Sequence, residues 1–339
     1  MRGKIHSKFN ISPKAIIIFT VFLDVLGLGV IIPVLPYYVE SFNVSGIVIT
    51  SLFAVFALCS FFSAPILGMI SDRKGRRPVL LVSLASSAIG WLVFAFSTSI
   101  FGLFLGRIID GLAAGNISTA QNYLIDISKD HKERTKNLGL IGAIFGVGFI
   151  IGPLVGGALS SISMKLPFII VGVMALLNTV FAYFFLPETN HERSTEKFSL
   201  NPFSLIMKAL KDKKVLPLYV AWLLFGIAIS LNQSIFALYI AKVFSWTVIA
   251  SGLLMALIGV IISINQAFFL NKVWLRYFKE SALIIWTLIP CAIGYFIMAM
   301  PFKFAFIVGL VVTAFGQSIL RVVMTSQTIG FSTKINKAK

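Results

Sequence analysis

The sequence predicts an all-α polytopic membrane protein with about ten transmembrane helices. Three observations carry that prediction. The 339 residues are 58% hydrophobic and 12% charged, where soluble domains carry roughly 25% charged residues. The mean hydropathy of +0.95 exceeds what a soluble fold can bury, so the bilayer must be the solvent for most of the chain. Finally, the apolar residues fall into ten runs, each near the ~20 residues that a helix needs to cross a bilayer. Together these exclude a cytosolic enzyme, a secreted domain and a disordered chain.

The ten spans are expected at 15–39, 47–70, 78–97, 99–127, 136–160, 165–186, 215–240, 247–270, 280–299 and 303–326. The first begins just after Lys14 and is too long for a signal-peptide core of about 7–15 residues, so it reads as an uncleaved span. Gly and Pro within these runs do not argue against helices, because membrane helices tolerate them. Cys59 and Cys291 are isolated thiols in apolar runs and form no disulfide or metal pattern.

The net charge of +17 would point to nucleic acid in a soluble protein. Here position gives it another meaning. Twenty-four of the 29 Lys and Arg residues lie in the N-terminus, the 2–3, 4–5, 6–7 and 8–9 loops and the tail. Only Lys165, Lys242 and Lys303 lie on the opposite side, while Arg107 and Arg321 sit within or at the end of spans. This is a strong positive-inside pattern. It predicts an even number of spans, both termini in the cytoplasm and residence in the inner (cytoplasmic) membrane. The expected partners are the lipid bilayer, whose anionic headgroups the cations meet weakly, protons and a small-molecule substrate, and not nucleic acid. The one long polar stretch between spans, 187–214, begins Pro187-Glu188-Thr189-Asn190 and reads as a cytoplasmic linker. The expected organisation is an N-terminal six-helix bundle over 1–186, that linker, and an incomplete C-terminal bundle of four helices over 215–339.

Four segments carry mechanism. The 2–3 loop runs from Gly68 through Asp72-Arg73-Lys74-Gly75-Arg76-Arg77-Pro78. Gly68 permits close helix approach, Gly75 a tight turn, and Asp72 can pair with Arg76 or meet a helix dipole. Span 4 carries Arg107 and Asp110, which share a helical face at i, i+3 and can pair. An arginine inside the bilayer costs a few kcal/mol, about 2.5–3.5 on insertion scales, unless it has a cavity or a partner. Asp126, at the end of this span, is expected to meet the basic 2–3 loop and serve gating. Span 5 places Gly139, Gly148, Gly152, Pro153, Gly156 and Gly157 so that the proline kinks the helix and the glycines leave a face free of side chains. Span 1 carries Asp24 near the bilayer midplane, where a carboxylate is a functional-site hypothesis by default. Burial there opposes its charge and a nearby cation favours it, so it can load and release a proton. In the later spans Asn232, Gln233, Asn265 and Gln266 are midspan polar groups that either line a substrate cavity or bond helix to helix.

These motifs resemble the signatures of the major facilitator superfamily. The 2–3 loop is similar to G-x-x-x-D-R-x-G-R-R/K. Span 4 is similar to the fourth-helix motif L-x-x-x-R-x-x-Q/x-G, although Asp110 stands where many members carry Gln. Span 5 resembles the fifth-helix signature of members that export substrate by antiport. From Lys14 to Pro187-Glu188 the chain resembles the first half of a drug:proton antiporter, with segments 71–85 and 24–36 close to the bacterial tetracycline and multidrug efflux group. The resemblance implies the major facilitator fold and proton-coupled export of small lipophilic compounds by alternating access, with Asp24, Arg107 and Asp110 in proton coupling.

Tetracycline-specific efflux is the alternative, and two positions weaken it. Where those exporters carry acidic residues in the third and ninth helices, this chain has Gly90 and Cys291. The family normally has twelve spans, so ten imply a truncated product or partial sequence, a partner that supplies the missing pair, or a degenerate ten-span protein, with truncation favoured and a truncated non-transporting remnant as a further alternative. No enzyme, cofactor or metal site is expected. There is no G-x-x-x-x-G-K-[ST] phosphate loop, and His6, His131 and His191 all lie in predicted cytoplasmic segments.

Overall fold

The structure, a computed structural model, describes residues 12–112, 114–190 and 216–337, and every regular element among them is helical. In chain order these are α1 Pro13–Glu40, α2 Gly46–Lys74, α3 Arg76–Phe96, α4 Ile100–Leu112, α5 Asn116–Asp126, α6 His131–Ser160, α7 Leu166–Phe185, α8 Leu216–Phe244, α9 Val248–Ile264, a π-helical segment Asn265–Trp274, α10 Leu275–Tyr277, α11 Glu280–Met298 and α12 Lys303–Lys337. Among the described residues nine helical stretches are long and apolar enough to cross a membrane, and Ala282–Met298 within α11 is a shorter apolar helix. The chain is a multi-pass membrane protein.

Four expectations are corrected. Span 4 crosses as two helical pieces, α4 ending at Leu112 and α5 starting at Asn116, with Ala114 and Gly115 in a turn between them. Gly111 and Gly115 flank the break, and glycine is the weakest ordinary helix former. Carbonyls near the break find donors on neighbouring helices, with Ser86 Oγ donating to Ile109 O at 2.7 Å and Ser63 Oγ to Gly111 O at 2.7 Å. An irregular backbone survives at membrane depth only with such partners. Span 8 is α-helical to Ile264 and then widens into π geometry. Asn265 is held there by three bonds: its Nδ2 donates to Ser318 Oγ (2.6 Å) and Phe315 O (3.3 Å), and Trp274 Nε1 donates to its Oδ1 (2.9 Å). The tenth span, expected to end at 326, continues as α12 to Lys337, because the polar residues there interrupt hydropathy without breaking a helix. The 2–3 loop shrinks to Gly75 alone, between the end of α2 and the start of α3.

The described residues form two compact units, one of 12–190 with Val248–Leu253, the other of 216–247 and 254–337. In the first, α1 is the central element. Its Ile16, Ile17, Val21 and Val25 join Leu80 and Leu84 of α3, Ala120, Tyr123 and Leu124 of α5, and Ile141 of α6 in one buried cluster. Trp91 stacks on Phe168 at 6.1 Å, and Tyr38 lies against Phe94 and Phe168. In the second unit α11 and α12 meet through small residues. A Cβ on Gly294 would lie 2.8 Å from the Gly309 carbonyl, and one on Gly316 would lie 2.6 Å from Cys291 Sγ. Such contacts are what hold membrane helices together, since lipid tails are as apolar as leucine and burying apolar surface gains little. Phe101, Phe184, Trp286 and Phe296 accordingly remain exposed on the outside.

Candidate functional site

The first unit encloses a polar cavity of about 100 Å³. Asp24 of α1 opens onto it, together with Phe56 of α2, Ser87 and Trp91 of α3, Arg107 and Asp110 of α4, and Asn116 of α5. Asp24 is the twelfth of the 28 residues of α1, about 17 Å from its start at 1.5 Å per residue. The predicted coupling residues Asp24, Arg107 and Asp110 therefore line one space.

Their pairing is specific. Arg107 Nη1 lies 3.1 Å from Asp110 Oδ2, with both side chains almost fully buried. Ser87 Oγ donates to Asp110 Oδ1 at 2.8 Å. The Arg107 guanidinium sits 4.1 Å from the centre of the Phe56 ring and 5.7 Å from that of Trp91, where ring faces attract a cation. Gly90 explains how α3 comes this close, because a Cβ on it would lie 2.8 Å from both Asp110 Cβ and the Gly106 carbonyl. Asp24 is hydrogen-bonded instead by Asn116, whose Nδ2 donates to Asp24 Oδ1 at 3.1 Å. Asn116 Oδ1 and Arg107 Nε are buried and have no hydrogen-bond partner among the described residues.

A second polar cluster joins α2, α3 and α5 at their ends. Arg76 Nη1 pairs with Asp72, and Arg76 Nε donates to Asp126 Oδ2 at 3.1 Å. Asp126 thus meets the 2–3 turn as expected. Gly75 has φ +110°, a conformation that favours glycine. Arg73 and Lys74 occupy the last turn of α2, where cations suit the helix dipole. Arg76 and Arg77 open α3, where cations do not, and Glu188 compensates: its carboxylate accepts from Arg76 N (2.8 Å) and Arg77 N (3.1 Å). Asn190 Nδ2 donates to the Asp72 carbonyl at 2.9 Å, so 187–190 seals the turn. The rest of the expected linker, 191–214, lies outside the described residues, as do His6 and His191.

The glycine helix divides. Gly148, Gly152 and Gly156 face α1, where added Cβ atoms would lie 2.7 Å from Val25 Cγ1, 2.8 Å from Leu26 O and 3.2 Å from Val30 Cα. The Cδ of Pro153 lies 2.9 Å from where a Cβ on Gly29 would stand, and Gly157 faces Val248 and Ile249. Among the described residues Gly139 meets nothing within 4 Å, nor does Gly68, so close packing against them is not the reason for glycine at either position.

In the second unit, Asn232 lines an apolar cavity of about 370 Å³ with Phe236, Tyr239, Tyr295, Met298 and Phe306. Gln233 and Gln266 are not among its lining residues. Gln266 Nε2 donates to the Ser318 carbonyl at 3.1 Å, which makes it a bond between helices.

The sequence reading missed Asn116 and Glu188. A polar residue directly after the small-residue run Ala113-Ala114-Gly115 could have pointed to Asn116. For Glu188 the signal was an acidic residue among cationic loops.

A multi-pass helical protein with a buried arginine–carboxylate pair beside a second carboxylate has the architecture of a secondary transporter. The family model of the Major Facilitator Superfamily matches residues 17–335, and the chain belongs to that family. It is similar to the tetracycline resistance protein, class C, of Escherichia coli, with 31% identity over 289 residues covering 84% of this chain and 72% of the relative. It is also similar to the quinolone resistance protein NorA of Staphylococcus aureus, at 26% over 275 residues and 81% and 70% coverage. Among solved structures, the human organic anion transporter MFSD10 matches with TM-score 0.69 and 19% identity over 92% of this chain and 84% of that one. A mutant of the nucleoside transporter NupG matches with TM-score 0.71 and 17% identity over 91% and 80%. These last two speak for the fold.

Proposed function

We propose that this chain is a secondary active exporter of small lipophilic compounds, driven by protons entering in exchange and working by alternating access. The observation that carries the reading is Asp24 opening onto the same buried cavity as the Arg107–Asp110 pair. Ionised groups in an apolar bundle are expensive, and such residues in membrane helices mark ion and proton pathways. A proton taken up by Asp24 from the outer side and released to the cytoplasm changes the charge of this cluster by one, which gives the two access states different energies. The relatives' roles in tetracycline and quinolone resistance support export of drug-like compounds. The glycine face of α6 against α1, where neighbouring backbones nearly touch, supports a helix pair able to slide.

The substrate is read as broad. The two positions that would carry acidic groups for a tetracycline-specific site are Gly90, closed off by Asp110 and Gly106, and the buried Cys291. Within this reading the protein lies in the inner membrane with both termini in the cytoplasm, as the cation distribution supports. It is organised as a bundle over 1–186, a linker over 187–214 and a bundle over 215–339.

The test uses inside-out membrane vesicles containing the protein, energised by respiration. Ethidium, tetracycline and a quinolone serve as probes. The expected result is accumulation of at least one probe that a protonophore collapses and Asp24→Asn abolishes. No accumulation of any probe would identify a non-transporting protein. Accumulation that survives Asp24→Asn would remove Asp24 from coupling.

A further inference from the structure

We propose that Asn116 is the positioning residue for Asp24: its amide gives the carboxylate a donor and the carboxylic acid an acceptor, so that the second half of the broken fourth span follows the proton on Asp24. The inference rests on the coupling role of Asp24 proposed above and adds the element that reads its charge.

Four observations converge. Asn116 Nδ2 already donates to Asp24 Oδ1 at 3.1 Å, across 92 residues of sequence. Its Oδ1 is buried and has no partner among the described residues, although a buried carbonyl oxygen is ordinarily satisfied. Both groups line the cavity of about 100 Å³, which is large enough to hold water. And Asn116 is the first residue of α5, directly after the break.

An amide is suited to both states of an acid. An ionised carboxylate only accepts, whereas the protonated acid must also donate its O–H. Turning the Asn116 amide by half a turn about its last torsion exchanges NH₂ for C=O at nearly constant shape. The unpaired oxygen is then the acceptor that the acid needs, and the cavity gives the rotation room. Among the described residues that line the cavity, Asn116 is the one amide. α2 presents Phe56, α3 presents Ser87 and Trp91, and Ser87 is already bonded to Asp110. α6 presents its glycine face, and Asn178 of α7 donates to Thr20 at 2.8 Å. The charged groups facing the cavity are Arg107 and Asp110, which hold each other.

The consequence for the backbone follows from where Asn116 sits. A change in its bond is applied at the start of an 11-residue helix. At the other end of that helix Asp126 bonds Arg76. Protonation in the cavity and the charge cluster at the 2–3 turn are thus joined by one rigid element.

The test uses the full chain, purified and reconstituted in proteoliposomes, with three readouts: ethidium transport driven by a pH gradient, ethidium exchange at equal pH, and the infrared C=O band of protonated Asp24, assigned by its disappearance in Asp24→Asn. In Asn116→Leu, gradient-driven transport should fall about tenfold, the worth of one hydrogen bond to a charged group, while exchange is retained and the Asp24 band moves to higher frequency. Asn116→Ser, whose hydroxyl donates and accepts, should keep more driven transport than Asn116→Leu and guards against a folding defect in the leucine variant. Parallel loss of both transport modes with an unmoved band would show a merely structural residue and overturn the inference. So would unchanged driven transport in Asn116→Leu when Asp24→Asn abolishes it, leaving the coupling reading intact. Driven transport untouched by Asp24→Asn would instead defeat that reading. If ethidium is not carried, the band still decides, since an Asp24 band indifferent to Asn116→Leu overturns the inference.

Discussion

Two polar clusters in the first unit use the same kinds of group, an arginine and carboxylates, in different ways. At the 2–3 turn Arg76 bonds both Asp72 and Asp126, and Glu188 closes the start of α3. That network reaches solvent, and each carboxylate has a donor. In the cavity Arg107 holds Asp110, while among the described residues Asp24 has one donor and the buried Asn116 Oδ1 and Arg107 Nε have no partner. A satisfied network fixes a structure, and a partly satisfied one in low dielectric is costly and responsive. The proposed function gives bracing to the first cluster and proton-dependent change to the second, although Arg77 Nε at the first is also buried with no hydrogen-bond partner among the described residues.

Substitutions can break or sharpen this contrast. The largest effect is expected from Asp24→Asn, which should reduce proton-driven drug accumulation in vesicles to that of vesicles without the protein while leaving detergent-solubilised protein monodisperse. Next comes Arg107→Ala. It leaves Asp110 buried without its cation, and breaking such a pair costs about 3–5 kcal/mol. Thermal unfolding should show the loss, and Arg107→Ala with Asp110→Ala should lose less than the single change. Arg107→Lys should not restore the parent, because a point charge cannot replace the planar guanidinium over Phe56.

Gly152→Val tests the sliding face. Its Cβ would meet the Leu26 carbonyl at 2.8 Å, and overpacking of this kind costs up to about 3 kcal/mol; transport rate should drop with it. Glu188→Gln should cost less, about 1 kcal/mol, the worth of a charge at a helix start. It should slow transport without uncoupling it, measured as an unchanged dependence on the proton gradient. The smallest effect belongs to Gly139→Ala. No atom of the described residues lies within 4 Å of the new methyl, and replacing a helical glycine should stabilise by up to ~1 kcal/mol with transport unaltered. A severe defect there would overturn the division of the glycine helix drawn above.

Much of this was legible along the chain. The ten apolar stretches needed only hydropathy, and the pairing of Arg107 with Asp110 needed only helical spacing. Gly148, Gly152 and Gly156 showed their common face through spacings of four residues. Gly68 and Gly139 were misread because spacing says which residues share a face, not whether anything packs there. Gln266 stayed undecided for a related reason: a midspan amide lines a cavity or bonds a neighbour according to where the next helix lies. The break in span 4 escaped because hydropathy is indifferent to whether backbone carbonyls bond along their own helix or to Ser63 and Ser86.

The sequence by itself determined that the chain crosses a membrane many times, which loops carry the cations, and which carboxylates must be accounted for inside the bilayer. Composition and short-range spacing suffice for these, since the bilayer acts on each span separately. Only the tertiary structure decided who answers those carboxylates. Asn116 reaches Asp24 across 92 residues and Glu188 reaches Arg76 across 112. Bonds over such separations exist only after the helices have packed, and no local period in the chain encodes them.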